Sequence, residues 1–299
     1  MVNVDTVPLG SKQPRIRKKN VFIPVALMIV GLIVMIYPVV STQMNNWGQL
    51  KAAQEYSQLQ NSVPQEVKDE EWERAHKYNE ERTTGPIFDP WIGRITADNK
   101  DFNAYLKQIN SQDVMGRLVI PSMKADLPIY HGTSDETLQK GVGHLFGSDL
   151  PVGGSGTHSV LTGHTGLPNA TLFDNLKNVK QGDAFFIQIA GHKIKYIVDQ
   201  IEIVLPNKTE HLIPVAGKDY VTLITCTPYG INTHRLLVRG HQVPITNSET
   251  LQLEKSQGMI WQWWMYVLIA AFIICSIGLA WWLLKQRNHD AEALENKKD

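Results

Sequence analysis

Two apolar runs bracket this chain and limit what it can fold into. Val21 to Val40 is uncharged and mostly apolar over about twenty residues, the length a helix needs to cross a bilayer. Met259 to Leu284 is a second run without a charged residue. Trp261, Trp263, Trp264 and Tyr266 crowd one end of it, and Trp281 and Trp282 the other, as aromatic side chains do at membrane interfaces. Lys12, Arg15, Arg17, Lys18 and Lys19 precede the first run, and Lys285 and Arg287 follow the second. Positive flanks stay cytoplasmic, so both tails (1–20 and 285–299) are expected inside, with spans at 21–40 and 259–284. A cleaved signal peptide ending near Val39-Val40-Ser41 is the alternative for the first run, although the run is long for a signal core. Roughly two hundred residues lie between the spans, enough for one extracytoplasmic domain with its own core.

Charge and cysteine usage remove several function classes. Formal net charge is +0, and no basic stripe with interleaved aromatics occurs, which argues against nucleic acid as a partner. The two cysteines, Cys226 and Cys275, cannot form a disulfide framework or a Cys-based zinc site.

Residues 41–112 read as helices and a loop. Trp47–Leu59 carries apolar residues at three- and four-residue intervals. Ser62-Val63-Pro64-Gln65 resembles a capping box and predicts a second, highly charged helix to about Arg82. The loop Thr84 to Gly93 contains Ile87, Phe88, Asp89, Pro90, Trp91 and Ile92, and such side chains need something to lie against, as in a packed connection or a lid. Asp98–Ile109 reads as a short helix. From 113 to 250 the texture changes to short strands between turns: Met115–Ile120, Leu127–His131, Ser159–Thr162, Ala184–Ile189, Lys193–Val204, Tyr220–Cys226 and Arg235–Val243, with a short helix from Thr133-Ser134-Asp135-Glu136 to about Lys140. Many short strands punctuated by turns predict a mostly-β barrel or sandwich.

Within that region the chemistry gathers on one stretch, Val221 to Gly230. Val221–Thr225 is a β-branched, apolar strand, and Pro228 and Gly230 end it, so Cys226 falls at the rim of a rigid sheet. A nucleophilic thiol needs a base or a cation nearby. His164, in Leu161-Thr162-Gly163-His164-Thr165-Gly166, follows an apolar strand and has glycines on both sides. His144 and His158 are weaker rivals, and His131, His192, His211 and His241 lack such a setting. Arg235 follows Cys226 by nine residues, a spacing that fits an antiparallel hairpin and puts it on the neighbouring strand. Alternation sends Arg235, Leu237 and Arg239 to one face; an arginine pointing into an apolar barrel would want an anionic partner.

Thr222-Leu223-Ile224-Thr225-Cys226 resembles the TLxTC signature of sortases, with the Arg235 strand and the Gly163-His164 turn where that family has its other catalytic residues. Gly141-Val142-Gly143-His144, Leu150-Pro151-Val152-Gly153-Gly154 and Gly156-Thr157-His158-Ser159-Val160 are similar to class C, the pilin-polymerising sortases, as are Asp89-Pro90-Trp91 and the second apolar run. Thr165 departs from the arginine usual in that class. The resemblance implies an eight-stranded sortase β-barrel with added N-terminal helices. It implies a cysteine transpeptidase in which Cys226 attacks an LPxTG-like sorting signal, His164 acts as acid and base, and Arg235 holds substrate and oxyanion. Thr225 and His158 would contact substrate, a pilin lysine would be the second substrate, and no cofactor would be needed. Asp89, Pro90 and Trp91 would form an autoinhibitory lid in which Asp89 pairs with Arg235 and Trp91 covers Cys226. A free thiol and imidazole titrate near ~8.5 and ~6.5, so only a minority of the pair would be ionised at neutral pH. The alternatives are a housekeeping sortase that joins proteins to cell-wall peptide, and a membrane-tethered module that binds pilin or wall without catalysis.

Overall fold

The computed structural model describes residues 21–82, 87–91, 99–253 and 257–295. The basic flank before the first span, Thr84-Gly85-Pro86 and Ile92-Gly93 lie outside the described residues. The chain divides into two compact units, one of residues up to Tyr37 with those from Tyr266 onward, the other Pro38–Met265.

The first apolar run and the helix expected at Trp47–Leu59 are one helix, α1 (Phe22–Ser62), with Pro38 inside it. Neither Pro38 nor the lone Gly48 is enough to end a helix that tertiary contacts hold together. Its C-terminal half buries Val39, Thr42, Asn46, Gln49, Ala53, Tyr56 and Gln60, a mainly polar stripe at three- and four-residue steps, while Trp47 and Leu59 are exposed. Of the apolar residues of the expected helix, Ala53 and Tyr56 are buried. The stripe is polar because it meets backbone and side-chain hydrogen-bonding groups: Ala190 N donates to the Tyr56 hydroxyl at 3.1 Å, and Asn46 Nδ2 donates to Thr171 Oγ1 at 2.9 Å.

The second helix, α2 (Gln65–Glu81), starts after Pro64 with no side-chain cap; Ser62 Oγ turns back to donate to Leu59 O, so the expected capping box does not form. Next comes α3 (Lys100–Tyr105), capped by Asn99. The strands follow as β1 (Gly116–Ile120), β2 (Ala125–His131), β3 (Val142–His144), β4 (Thr157–Thr162), β5 (Ala184–Ile189), β6 (His192–Val204), β7 (Asp219–Thr227) and β8 (His234–Val243). Helix α4 (Asp135–Lys140) lies between β2 and β3, and its cap is Ser134, which accepts from Thr137 N, one residue after the expected Thr133. Two helices complete the chain, α5 (Asn247–Leu253) and α6 (Trp263–Glu295). Eighteen-residue windows in α1 and α6 reach mean hydropathies of 2.6 and 2.5, so both are long and apolar enough to cross a membrane.

The eight strands close into a barrel in the order β1-β2-β3-β4-β7-β8-β6-β5. Closure removes the free edges that an open sheet must protect. β2 with β3 and β4 with β7 pair in parallel, and the other neighbours are antiparallel. The seven expected strands are present with ends within two residues, and β3 is the addition. Two glycines disguised it. A Cβ on Gly143 would collide with the Gly132 carbonyl, so this close parallel pairing needs glycine where strand propensity counts against it.

The barrel interior is packed by alternate residues, among them Leu118, Ile120, Ile129, Leu161, Ile187, Val221, Leu223, Leu236 and Val238. The in-between residues of three strands form a second apolar patch outside the barrel wall, where Val160, Ile224 and Leu237 meet Leu145, Leu212 and Ile87. A wall apolar on both faces is expected only where something covers it. Here the cover is the β6–β7 connection and the loop before α3.

Candidate active site

Cys226 lies near the end of β7, the middle strand of three. On one side the antiparallel register pairs Cys226 with Arg235 of β8. On the other, β4 runs parallel to β7 with Thr162 opposite Ile224, and Gly163 N donates to Ile224 O at 3.0 Å, extending the ladder one residue. The turn carrying His164 thus leaves β4 level with Cys226. The thiol is flanked by residues bearing an imidazole and a guanidinium, all at one end of a closed barrel. Gly163 is needed there: a Cβ at that position would come within 2.7 Å of the Phe173 ring.

Arg235 does not point into the barrel as expected. The interior-facing residues of β8 are Leu236 and Val238, and Arg235 shares the outer face with Leu237, beside the second apolar patch. It is 7% exposed and its anionic partner is Asp89: Nε donates to Oδ2 at 2.6 Å and Nη2 to Oδ1 at 3.0 Å, a bidentate buried pair. Nη1 donates to the carbonyls of Asn232 and His234. Asp89 Oδ1 also accepts from Trp91 N, which folds the Asp-Pro-Trp segment into a turn. Trp91 lays its ring over the guanidinium with 4.7 Å from the centroid to the Arg235 carbon, and stands 6.0 Å from the His164 ring. Ile87 enters the outer patch, and Thr133 Oγ1 donates to Pro90 O.

This arrangement sets the protonation states. Burial pushes the Cys226 thiol up; Arg235 opposes that, and Asp89 adds to it. Burial pushes the His164 imidazole down, with Asp135 pulling weakly the other way. With the loop in place both groups are therefore neutral near pH 7, and the thiol is in its unreactive form.

The two residues expected to contact substrate are buried. Thr225, 2% exposed, donates through Oγ1 to Gly163 O at 2.7 Å and thereby ties β7 to the His164 turn. His158 is 1% exposed, with Nε2 2.7 Å from Thr222 Oγ1 and Nδ1 3.3 Å from Ile213 O, which leaves no ring edge for a ligand. His144 is a core residue held by the Tyr105 hydroxyl and Asp149 O. The outer apolar patch was missed in the sequence, although Leu223-Ile224 and Leu236-Leu237 signal it by breaking alternation. Among the described residues no group of three or more His, Cys, Asp or Glu side chains is placed to hold a metal ion.

A fold and rim of this kind have relatives. The family model described as "Sortase domain" matches residues 118–243. Sortase C-1 from Actinomyces oris is 52% identical, with 60% of this chain and 99% of that one covered at a TM-score of 0.59. Sortase C from Streptococcus pneumoniae is 38% identical, with 66% and 98% covered at a TM-score of 0.60. Sortase A of Bacillus anthracis is 30% identical over 135 residues, 45% of this chain and 62% of that protein. The chain thus spans somewhat under two thirds of that curated relative. It belongs to the sortase family, and class C sortases are among its structural neighbours.

Proposed function

We propose that this protein is a membrane-anchored cysteine transpeptidase that cleaves an LPxTG-like sorting signal and joins it to a lysine amine of a pilin subunit. The observation that carries the reading is the strand register, which sets the Cys226 residue between Arg235 and the His164 turn. The Cys226 thiolate adds to the Thr–Gly carbonyl carbon, and the oxyanion formed is stabilised by the Arg235 guanidinium. His164 in its protonated form gives its proton to the departing glycine amine as the C–N bond breaks, leaving a thioester on Cys226. The lysine amine then attacks the thioester, His164 takes its proton, and the thiolate leaves as the isopeptide bond forms. Thr225 and His158 shape the site from below the surface. The Ile87–Trp91 segment is a lid that Asp89 fastens to Arg235, so substrate must displace it. The pilin-polymerising choice is supported by the neighbouring sortase C structures, the Streptococcus pneumoniae one being described with respect to its pilin substrate specificity. A housekeeping role, with cell-wall peptide as the amine, is the alternative; a curated relative is named sortase A.

Mass spectrometry of the protein mixed with an LPxTG peptide, with and without Asp89→Ala and Trp91→Ala, tests the chemistry. A thioester mass shift that disappears in Cys226→Ala is expected. No shift in either lid state would leave a binding module. Adding a pilin lysine peptide or a short peptidoglycan amine identifies which amine releases the adduct.

A further inference from the structure

An imidazole that must both give and take a proton needs a fixed orientation, and serine-type triads obtain it from a carboxylate bonded to the ring. His164 has no such partner: among the described residues nothing hydrogen-bonds its ring, and Trp91 only stands beside it. What holds it is the turn, and the turn is gripped at four consecutive residues. Gly163 is wedged against the Phe173 ring, and its carbonyl accepts from Thr225 Oγ1. The His164 carbonyl accepts from Phe173 N at 3.0 Å. Thr165 Oγ1 and Gly166 N both donate to a single oxygen, Asp174 Oδ1, at 3.0 and 2.8 Å. Gly166 has φ +78, a left-handed conformation that the bond to Asp174 holds in place.

The gripping segment is itself anchored. Asn46 of α1 makes two bonds to Thr171, Nδ2 to Oγ1 at 2.9 Å and Thr171 N to Oδ1 at 3.0 Å, and Asn45 Nδ2 donates to Asn169 O at 2.7 Å. Leu172, buried at 1% exposure, carries a φ of +37, a cost that persists only where surroundings over-determine the backbone. Asp174 is a partly buried carboxylate whose pKa burial raises, against its two donors and Lys177.

We propose that Asp174 is the positioning residue for His164, acting through Thr165 and Gly166 in place of a carboxylate on the ring. Its kinetic arm rests on the transpeptidase reading; its structural arm does not.

The test uses the full chain in detergent micelles, in an Asp89→Ala background, with Asp174→Ala, Asp174→Asn and Thr165→Val. Asp174→Ala should lower kcat for the LPxTG peptide on the order of 10- to 100-fold, the scale of a displaced catalytic group, with KM little changed. Asp174→Asn keeps an acceptor oxygen and should recover most of the rate, and Thr165→Val should fall between. Ring resonances of His164, followed by NMR, should move or broaden in Asp174→Ala while those of His144 and His158 stay in place. Parent-like kcat and an unmoved His164 signal would overturn the proposal, as would equal disturbance of all three histidines. If Asp174→Ala does not fold, Thr165→Val decides by the same two measurements. A background protein that forms no thioester would sink the transpeptidase reading, and the ring resonances would still decide this one.

Discussion

Two buried histidines have their charge states fixed by burial, and that gives the barrel a pH dependence unrelated to catalysis. His158 is pushed down to about 4 and His144 to about 3 from an ordinary 6.5, burial being the main cause in both. Below pH 6.5 the unfolded chain therefore binds protons that the folded chain refuses, so stability rises with pH across that window. The contribution is fully present above about pH 6.5 and is lost as pH falls towards the two folded values. From about pH 7 to about pH 5 each histidine should remove about 2 kcal/mol of unfolding free energy. Denaturant unfolding of the parent and of His158→Gln checks it: the variant should be weaker at pH 7 and fall off less steeply in acid. Parallel curves would rule the account out. At this scale the sequence was informative about which strands neighbour one another, the nine-residue spacing putting Arg235 beside Cys226, and poor at telling exposed side chains from buried ones. Cys226, His164 and Arg235 stood out by residue type at strand ends, a local property. Whether His158 shows its ring to solvent depends on Thr222 and Ile213, which no local pattern connects to it.

On the proposed reading, the loop from Ile87 to Trp91 is the element on which reactivity turns. Removing Asp89 and Trp91 takes away the ring laid over Arg235 and the carboxylate that raises the thiol's pKa, and leaves the guanidinium that lowers it. While the thiol's pKa stays above the working pH, the thiolate fraction rises about tenfold for each unit that pKa falls. Asp89→Ala with Trp91→Ala should therefore speed alkylation of Cys226 by a charged maleimide, on the order of tenfold, near pH 7. Adding Arg235→Ala should reverse much of that gain. Labelling at the parent rate in the lid variant would remove the gate. Elements whose stability is local were legible in advance, such as β5, read with its observed ends. Those settled by neighbours were not. The β3 strand exists because Gly143 can approach Gly132, α1 buries Asn46 and Gln49 in place of Trp47, and Arg235 faces outward because Leu236 and Val238 fill the interior.

At the scale of the whole molecule the two helices long and apolar enough to cross a membrane lead to a prediction about which side each end occupies. The first apolar run does not end where a signal peptide would: Val39 and Thr42 are buried, Ser41 Oγ donates to Pro38 O, and α1 continues through all of them to Ser62. A protease that needs extended backbone would have to unwind that helix, which favours an uncleaved anchor. If both runs cross, the positive-inside rule predicts that both tails lie on the cytoplasmic side and the segment between the runs on the other. Single cysteines can report this in a Cys226→Ala, Cys275→Ser background in intact cells. A membrane-impermeant maleimide should label Lys51→Cys, on an exposed position of the C-terminal half of α1, directly. It should reach His289→Cys, exposed near the end of α6, only after permeabilisation. Labelling of both from outside would mean that the second run does not cross, and the barrel would then be held by one anchor. Labelling of His289→Cys alone would invert the orientation and put the thiol in the cytoplasm, where no surface pilin could meet it.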